Sequence, residues 1–140
     1  MLGRIRPILL RHPKSLILLV GINDLRGDFP IDTTIINYSR LISFAKSLSP
    51  STKIVITSIL PTRGKYFMLN SKVEILNAEL KKFHNPPAIT YMDVHSLLSN
   101  QGQLDSIYTM DGLHLTGKGY KVWKEIIENT ESGLFVTFNK

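Results

Sequence analysis

The stretch Ser15-Leu16-Ile17-Leu18-Leu19-Val20-Gly21 constrains the fold more than any other. It is a short, continuous apolar run without alternation, the pattern of a strand covered on both faces, as in a parallel sheet. Parallel neighbours cannot be joined by a hairpin; each needs a crossover connection, usually a helix. The flanking sequence should therefore alternate helix and strand.

It does. Upstream, Leu2, Ile5, Ile8 and Leu9 recur at helical spacing and stop at Arg11-His12-Pro13, which predicts an amphipathic helix over residues 2–11. Downstream, Asp32 is a plausible N-cap, and Ile35, Tyr38, Leu41/Ile42, Ala45 and Leu48 trace one helical face ending before Pro50. Residues 53–60 are rich in β-branched side chains and close at Pro61, a second buried strand. Ser71-Lys72-Val73-Glu74 has capping-box spacing, and Val73, Leu76, Leu80 and Phe83 continue a stripe that stops before Asn85-Pro86-Pro87. Residues 88–92 read as a third strand, followed by Asp93 and an irregular stretch to Met110. Thr116 reads as the N-cap of a last helix in which Tyr120, Trp123 and Ile127 share a core-facing stripe with Val122 and Ile126 alongside. The tail at residues 134–138 has strand propensity and no evident partner. The order implies an α/β domain, residues 1–140 as one unit, with right-handed crossovers onto a parallel sheet.

Composition narrows the function classes. No apolar run approaches the ~20 residues of a membrane span. Arg4 and Arg6 precede Ile8-Leu9-Leu10, but Arg11-His12-Pro13 cut that run short, so no signal peptide is expected and the location stays open. There is no cysteine, hence neither a disulfide framework nor a thiolate metal site. The net charge is +6, yet the basic residues are scattered, with no block longer than Lys81-Lys82. That pattern is a solvated surface and not a nucleic-acid stripe. His95 lies two residues after Asp93 without a third ligand at metal spacing, and no metal site or cofactor is expected. His12 and His84 sit at helix ends, where a cation suits the dipole.

Two short segments carry chemistry. Asp111-Gly112-Leu113-His114, just before the last helix, places a carboxylate near an imidazole, the base half of a hydrolytic triad. Alone it reads equally as a surface loop with a local hydrogen bond. Gly21-Ile22-Asn23-Asp24 is a turn-rich tetrad at the C-terminal end of the first strand, the end at which open α/β sheets bind ligands. Asn23 could serve as a turn residue and Asp24 as a cap. Ser58 is the one serine embedded at a strand end and is a candidate substitute nucleophile.

Together these segments resemble a known family. Gly21-Ile22-Asn23-Asp24-Leu25 after an apolar strand looks like the third sequence block of the SGNH hydrolases, the GDSL lipases and esterases. Asp111-Gly112-Leu113-His114-Leu115-Thr116 with Gly119-Tyr120 resembles their fifth block. Residues 57–62, Asn70 and residues 77–80 are similar to what lies between, so the likeness runs over residues 2–129. It implies a three-layer αβα, flavodoxin-like SGNH fold lacking its N-terminal strands, and a metal-free and cofactor-free cleavage of acyl or acetyl esters of lipids or carbohydrates. His114 would be the general base, Asp111 its orienting carboxylate, Asn23 an oxyanion donor and Gly21 the residue permitting close backbone approach. The blocks that carry the nucleophilic serine and the oxyanion glycine have no counterpart here. The resemblance therefore implies no turnover by the chain as written, or a non-catalytic binding protein that keeps the cleft. It also implies an apolar strand edge at residues 16–21 open to self-association.

Overall fold

The structure, a computed structural model, describes residues 2–131, so the tail at 134–138 lies outside the described residues. Helix α1 (Leu2–Leu9) leads into strand β1 (Ser15–Leu18), then α2 (Ile22–Arg26), α3 (Ile31–Leu48) and β2 (Lys53–Thr57). A 3₁₀ segment (Gly64–Leu69) precedes α4 (Asn70–Lys81), β3 (Ile89–Met92) and α5 (Val94–Leu98). A small hairpin, β4 (Ser99–Asn100) and β5 (Gln103–Leu104), and the long α6 (Gly117–Glu131) complete it.

β1, β2 and β3 form a parallel sheet in that order, with Leu16 opposite Ile54 and Ile54 opposite Ile89. Strand residues alternate between faces, so Leu16, Leu18, Ile54, Ile56, Ile89 and Tyr91 share one side. That side packs against α1, α3 and α4 through Ile5, Leu9, Tyr38, Leu41, Val73, Leu76 and Leu80. Val55 and Met92 face the other way, onto α5 and α6 through Val94, Leu98, Ile126 and Ile127. Three layers result: the crossover helices α3 and α4, with α1, cover one face of the sheet, and α5 and α6, which follow β3, cover the other.

β1 is an edge. Lys53 N donates to Lys14 O at 2.9 Å, so Lys14, Leu16 and Leu18 turn their backbone groups toward β2 and Ser15, Ile17 and Leu19 turn theirs away. The side chains of Ile17 and Leu19 are correspondingly exposed, at 37% and 38%. Hollows of about 530 and 440 Å³ lie on either side of this strand, one lined by Ser15, Lys53, Val55 and Thr90, the other by Leu18, Tyr38 and Arg40. Their position fits β1 having no strand neighbour on one side among the described residues.

Several boundaries differ from the sequence reading. Gly21-Ile22-Asn23-Asp24 is not a bare turn: residues 22–26 close a short helix, with Leu25 N donating to Gly21 O at 3.0 Å. Asp32 is inside α3, whose N-cap is Pro30, and Ser71 is inside α4, which continues the preceding 3₁₀ segment without a side-chain cap. The stretch expected to be irregular holds α5, capped by Asp93 through Ser96 N at 3.0 Å, and the β4–β5 hairpin. Tyr120 leaves the core stripe and is 56% exposed, while Ile126 and Ile127 stay buried.

β2 stops at Thr57, yet residues 58–62 remain extended and largely buried, and their backbone groups need partners. Two asparagines of α4 provide them. Asn77 accepts from Ile59 N at 2.6 Å and donates to Ile59 O at 2.9 Å; Asn70 does the same for Thr62 at 2.7 and 3.0 Å. Their i, i+7 spacing puts both amides on one helical face, where they act as a surrogate strand. Asn77→Ala should leave both groups of Ile59 buried and unpaired and lower stability by about 3 kcal/mol, since each such group costs on the order of 1–3 kcal/mol. Urea unfolding checks this: the midpoint falls at unchanged slope.

Candidate functional site

The ends of β1 and β2 and the loop before α6 meet around a cavity of about 170 Å³, lined by residues 19–22, 59–62 and 113–115 and by Tyr120. His114 and the Gly21-Ile22 turn therefore share one cleft at the C-terminal rim of the sheet. No serine is among its lining residues.

The Gly21 turn is fixed by its surroundings. Its φ is +136°, and a Cβ would come to 3.0 Å of Leu76 Cδ2 and 3.2 Å of Ile59 Cδ1, so only glycine fits. Tyr38, rising from α3, donates its hydroxyl to Val20 O at 2.6 Å and accepts from Val20 N at 3.3 Å. Burial pushes this phenol well above the usual tyrosine range, so it stays a donor. Asp24 accepts from the buried Thr34 Oγ1 at 3.1 Å, which ties α2 to α3 and gives Asp24 a structural task. Asn23 is left exposed on α2, its Oδ1 accepting from Arg26 at 3.3 Å.

The Asp111–His114 loop is built around one carboxylate. Asp111 Oδ1 accepts from the backbone N–H of Leu113 at 2.9 Å and of His114 at 2.8 Å, while Oδ2 meets His114 Nδ1 at 2.6 Å. The bond to the His114 ring, followed by these two backbone N–H groups, holds the Asp111 carboxyl well below the usual carboxylate range. A carboxylate only accepts, so Nδ1 carries the proton of this bond, and the ring lies on the cleft lining. The pair is open to water, with side chains 74% and 49% exposed, so its bond orients the ring more than it stabilises the fold.

Two residues that sequence reasoning missed hold this loop. Thr109 is buried; its hydroxyl accepts from Gly112 N at 2.9 Å and donates to His114 O at 2.8 Å. Arg63 N donates to Gly112 O at 2.8 Å, joining the loop to the segment after β2. Gly112 has φ +82°, and any Cβ there would collide with the Arg63 carbonyl. The requirement for glycine between Asp111 and His114 comes from the Arg63 carbonyl, a tertiary contact with no local sequence signal.

The other polar candidates have local duties. Ser58 is fully buried, and its hydroxyl accepts from His95 N at 2.7 Å without lining the cleft. His12 Nδ1 pairs with Ser49 Oγ at 3.1 Å, and His84 Nδ1 accepts from Tyr91 N at 3.1 Å. Burial lowers the pKa of His95, against the opposing pull of Asp93 and Glu74. Among the described residues no three metal-ligating side chains gather, and no helix is long and apolar enough to cross a membrane.

A parallel αβα sheet with an Asp-held imidazole at its C-terminal rim defines a hydrolase-like class. Residues 1–122 match the GDSL-like Lipase/Acylhydrolase family, and the chain belongs to it. A Bacteroides fragilis protein described as an acylhydrolase superposes with a TM-score of 0.82 at 25% identity, over 94% of this chain and 68% of that one. A carbohydrate esterase family 3 protein from Talaromyces cellulolyticus shares the fold, with a TM-score of 0.72 at 17% identity, over 94% of this chain and 62% of its own. An N-acylneuraminate cytidylyltransferase of Streptococcus agalactiae is 29% identical over 97 residues, 69% of this chain; the chain spans only 23% of that relative's length.

Because Asp111 has a depressed folded pKa, the stability it lends is present above the unfolded value of about 3.9 and is lost as pH falls through the folded one. An NMR titration of the Asp111 carboxyl carbon should show a midpoint well below about 3.9, moving back up in His114→Ala. A midpoint at the ordinary value in both proteins would contradict the geometry.

Proposed function

We propose that this cleft is the base-and-oxyanion half of an ester hydrolase site. His114 Nε2 takes the proton of a serine hydroxyl as that oxygen attacks an ester carbonyl, and returns it to the leaving alcohol; water then releases the acyl group by the same route. Asp111 keeps the imidazole in the required tautomer. Asn23 Nδ2 donates to the developing oxyanion, a task in which removal of a donor costs roughly 2.7–4 kcal/mol. Gly21 lets the backbone come close. The observation that carries the reading is the shared cleft of His114 and the Gly21-Ile22 turn, with Asp111 on Nδ1.

The serine comes from polypeptide outside the cleft lining, docked as a strand along the free edge of β1. Two features support this: Ser15, Ile17 and Leu19 turn outward, between two hollows, backbone groups that have no strand partner among the described residues, and the B. fragilis neighbour extends well beyond the matched 68% of its length. A strand there would run toward Gly21 and deliver its C-terminal end to the cleft. The substrate class is acyl or acetyl esters of lipids or carbohydrates. The absence of serine from the cleft lining also supports a second reading, a binding module that holds an ester without cleaving it.

Hydrolysis of p-nitrophenyl acetate separates the two readings. The chain alone should match the buffer rate and its His114→Ala variant. A peptide carrying a Gly-Asp-Ser strand should raise the rate at least about tenfold, and His114→Ala should abolish the gain. No gain with any such peptide, together with saturable binding of an acetylated sugar, would favour the binding module.

The same edge is the face through which copies would self-associate. Ile17→Lys with Leu19→Lys should abolish concentration-dependent association in sedimentation velocity, whereas unchanged association would place that contact elsewhere.

A further inference from the structure

Arg26 follows Asn23 by one helical turn on α2 and faces it: a guanidinium N–H donates to Asn23 Oδ1 at 3.3 Å. The same guanidinium lies 5.3 Å from the centroid of the Tyr66 ring, in cation–π range. Arg26 makes no ion pair among the described residues, so no acidic side chain competes for its direction. Tyr66 is itself anchored at the cleft: its carbonyl accepts from Thr62 Oγ1 at 2.6 Å, and its N–H donates to Arg63 O at 3.3 Å. Thr62 lines the cavity beside His114, and Arg63 N binds Gly112 O at 2.8 Å. A continuous set of contacts thus runs from the Asn23 amide through Arg26 and Tyr66 to the loop that carries His114.

The chemistry of the pair decides which end of the amide faces where. Arginine has donors and no acceptor, so the atom it meets must be the Asn23 oxygen. The NH₂ end is forced to the opposite side, away from the guanidinium. An exposed asparagine without such a partner would rotate freely and present either end.

We propose that Arg26 is a positioning residue: braced on Tyr66, it holds the oxygen of the Asn23 amide and so keeps the N–H donors of that amide turned out for an incoming oxyanion. It touches no reacting atom. The proposal rests on the reading of Asn23 as the oxyanion donor, but the clamp itself is a property of the chain and can be read without turnover.

The test is the ¹⁵N heteronuclear NOE of the Asn23 side-chain Nδ2 in the purified chain, with the exposed Asn37 amide as the internal standard of free rotation. Asn23 should be clearly more restricted than Asn37, and Arg26→Ala should drop it to the Asn37 level while the backbone signals of Asn23 and Leu25 stay in place. Arg26→Lys, which can still donate to Oδ1, should restore part of the restriction, and Tyr66→Ala should loosen it. An Asn23 amide as mobile as Asn37 in the unaltered chain, or one indifferent to Arg26→Ala, would overturn the clamp. Where a serine-bearing peptide restores turnover, Arg26→Ala should lower kcat about tenfold with little change in KM, and Arg26→Lys should recover most of it. A raised KM at unchanged kcat would overturn the positioning role. Failure of ester hydrolysis leaves the NOE result standing, so the two claims fall separately.

Discussion

The sheet ends before the site begins, and the backbone beyond it must still find partners. That constraint explains most of the polar residues in the upper half of the molecule. Buried N–H and C=O groups cannot be left bare, so side chains take over where strand pairing stops. Tyr38 serves Val20, Asn77 serves Ile59, Asn70 serves Thr62, and Thr109 serves Gly112 and His114. Each of these bonds holds a wall of the cleft, so the same interactions that close the fold also shape the space between Gly21 and His114.

Within that frame the division of labour is electrostatic. Asp111 spends one oxygen on two backbone N–H groups and the other on Nδ1 of His114, which makes the loop and the imidazole a single unit. The ring itself lines the cleft. The Gly21-Ile22 turn shares the cleft, while Asn23, one residue on, stands exposed on a short helix tied down by Gly21, Thr34 and the Arg26–Tyr66 contact and is not among the lining residues. The proposed ester hydrolysis needs a proton acceptor on one side and a hydrogen-bond donor on the other, the roles proposed above for His114 and Asn23. The family to which the chain belongs is named for that chemistry.

The sequence made the layers legible because burial imposes periodicity. The apolar run from Leu16, the β-branched run from Lys53 and the stripes through Leu41 and Leu76 all fall on the elements they predict. The contact of Asp111 with His114 was legible too, through the family resemblance, since the spacing alone left a surface loop open. What escaped was tertiary. Gly21 to Asp24 looked like a turn because its helix has few residues and no side-chain cap. Thr109 looked unremarkable because its hydroxyl works through backbone atoms, and Asn70 and Asn77 could be matched to a family pattern without revealing that they replace a strand. Tyr120 followed the helical period but lies just past the loop carrying His114, where the period points it at the cleft rim and not into the core.

The direct check on the central claim is whether the turn at Gly21 senses the imidazole at His114. Amide spectra of the chain recorded across the titration of His114 should show the signals of Gly21, Ile22 and Asn23 moving with the same midpoint as the ring, and losing that response in His114→Ala. Shifts confined to the residues around 109–116 would mean that the two groups do not share a cleft, and the account would fail.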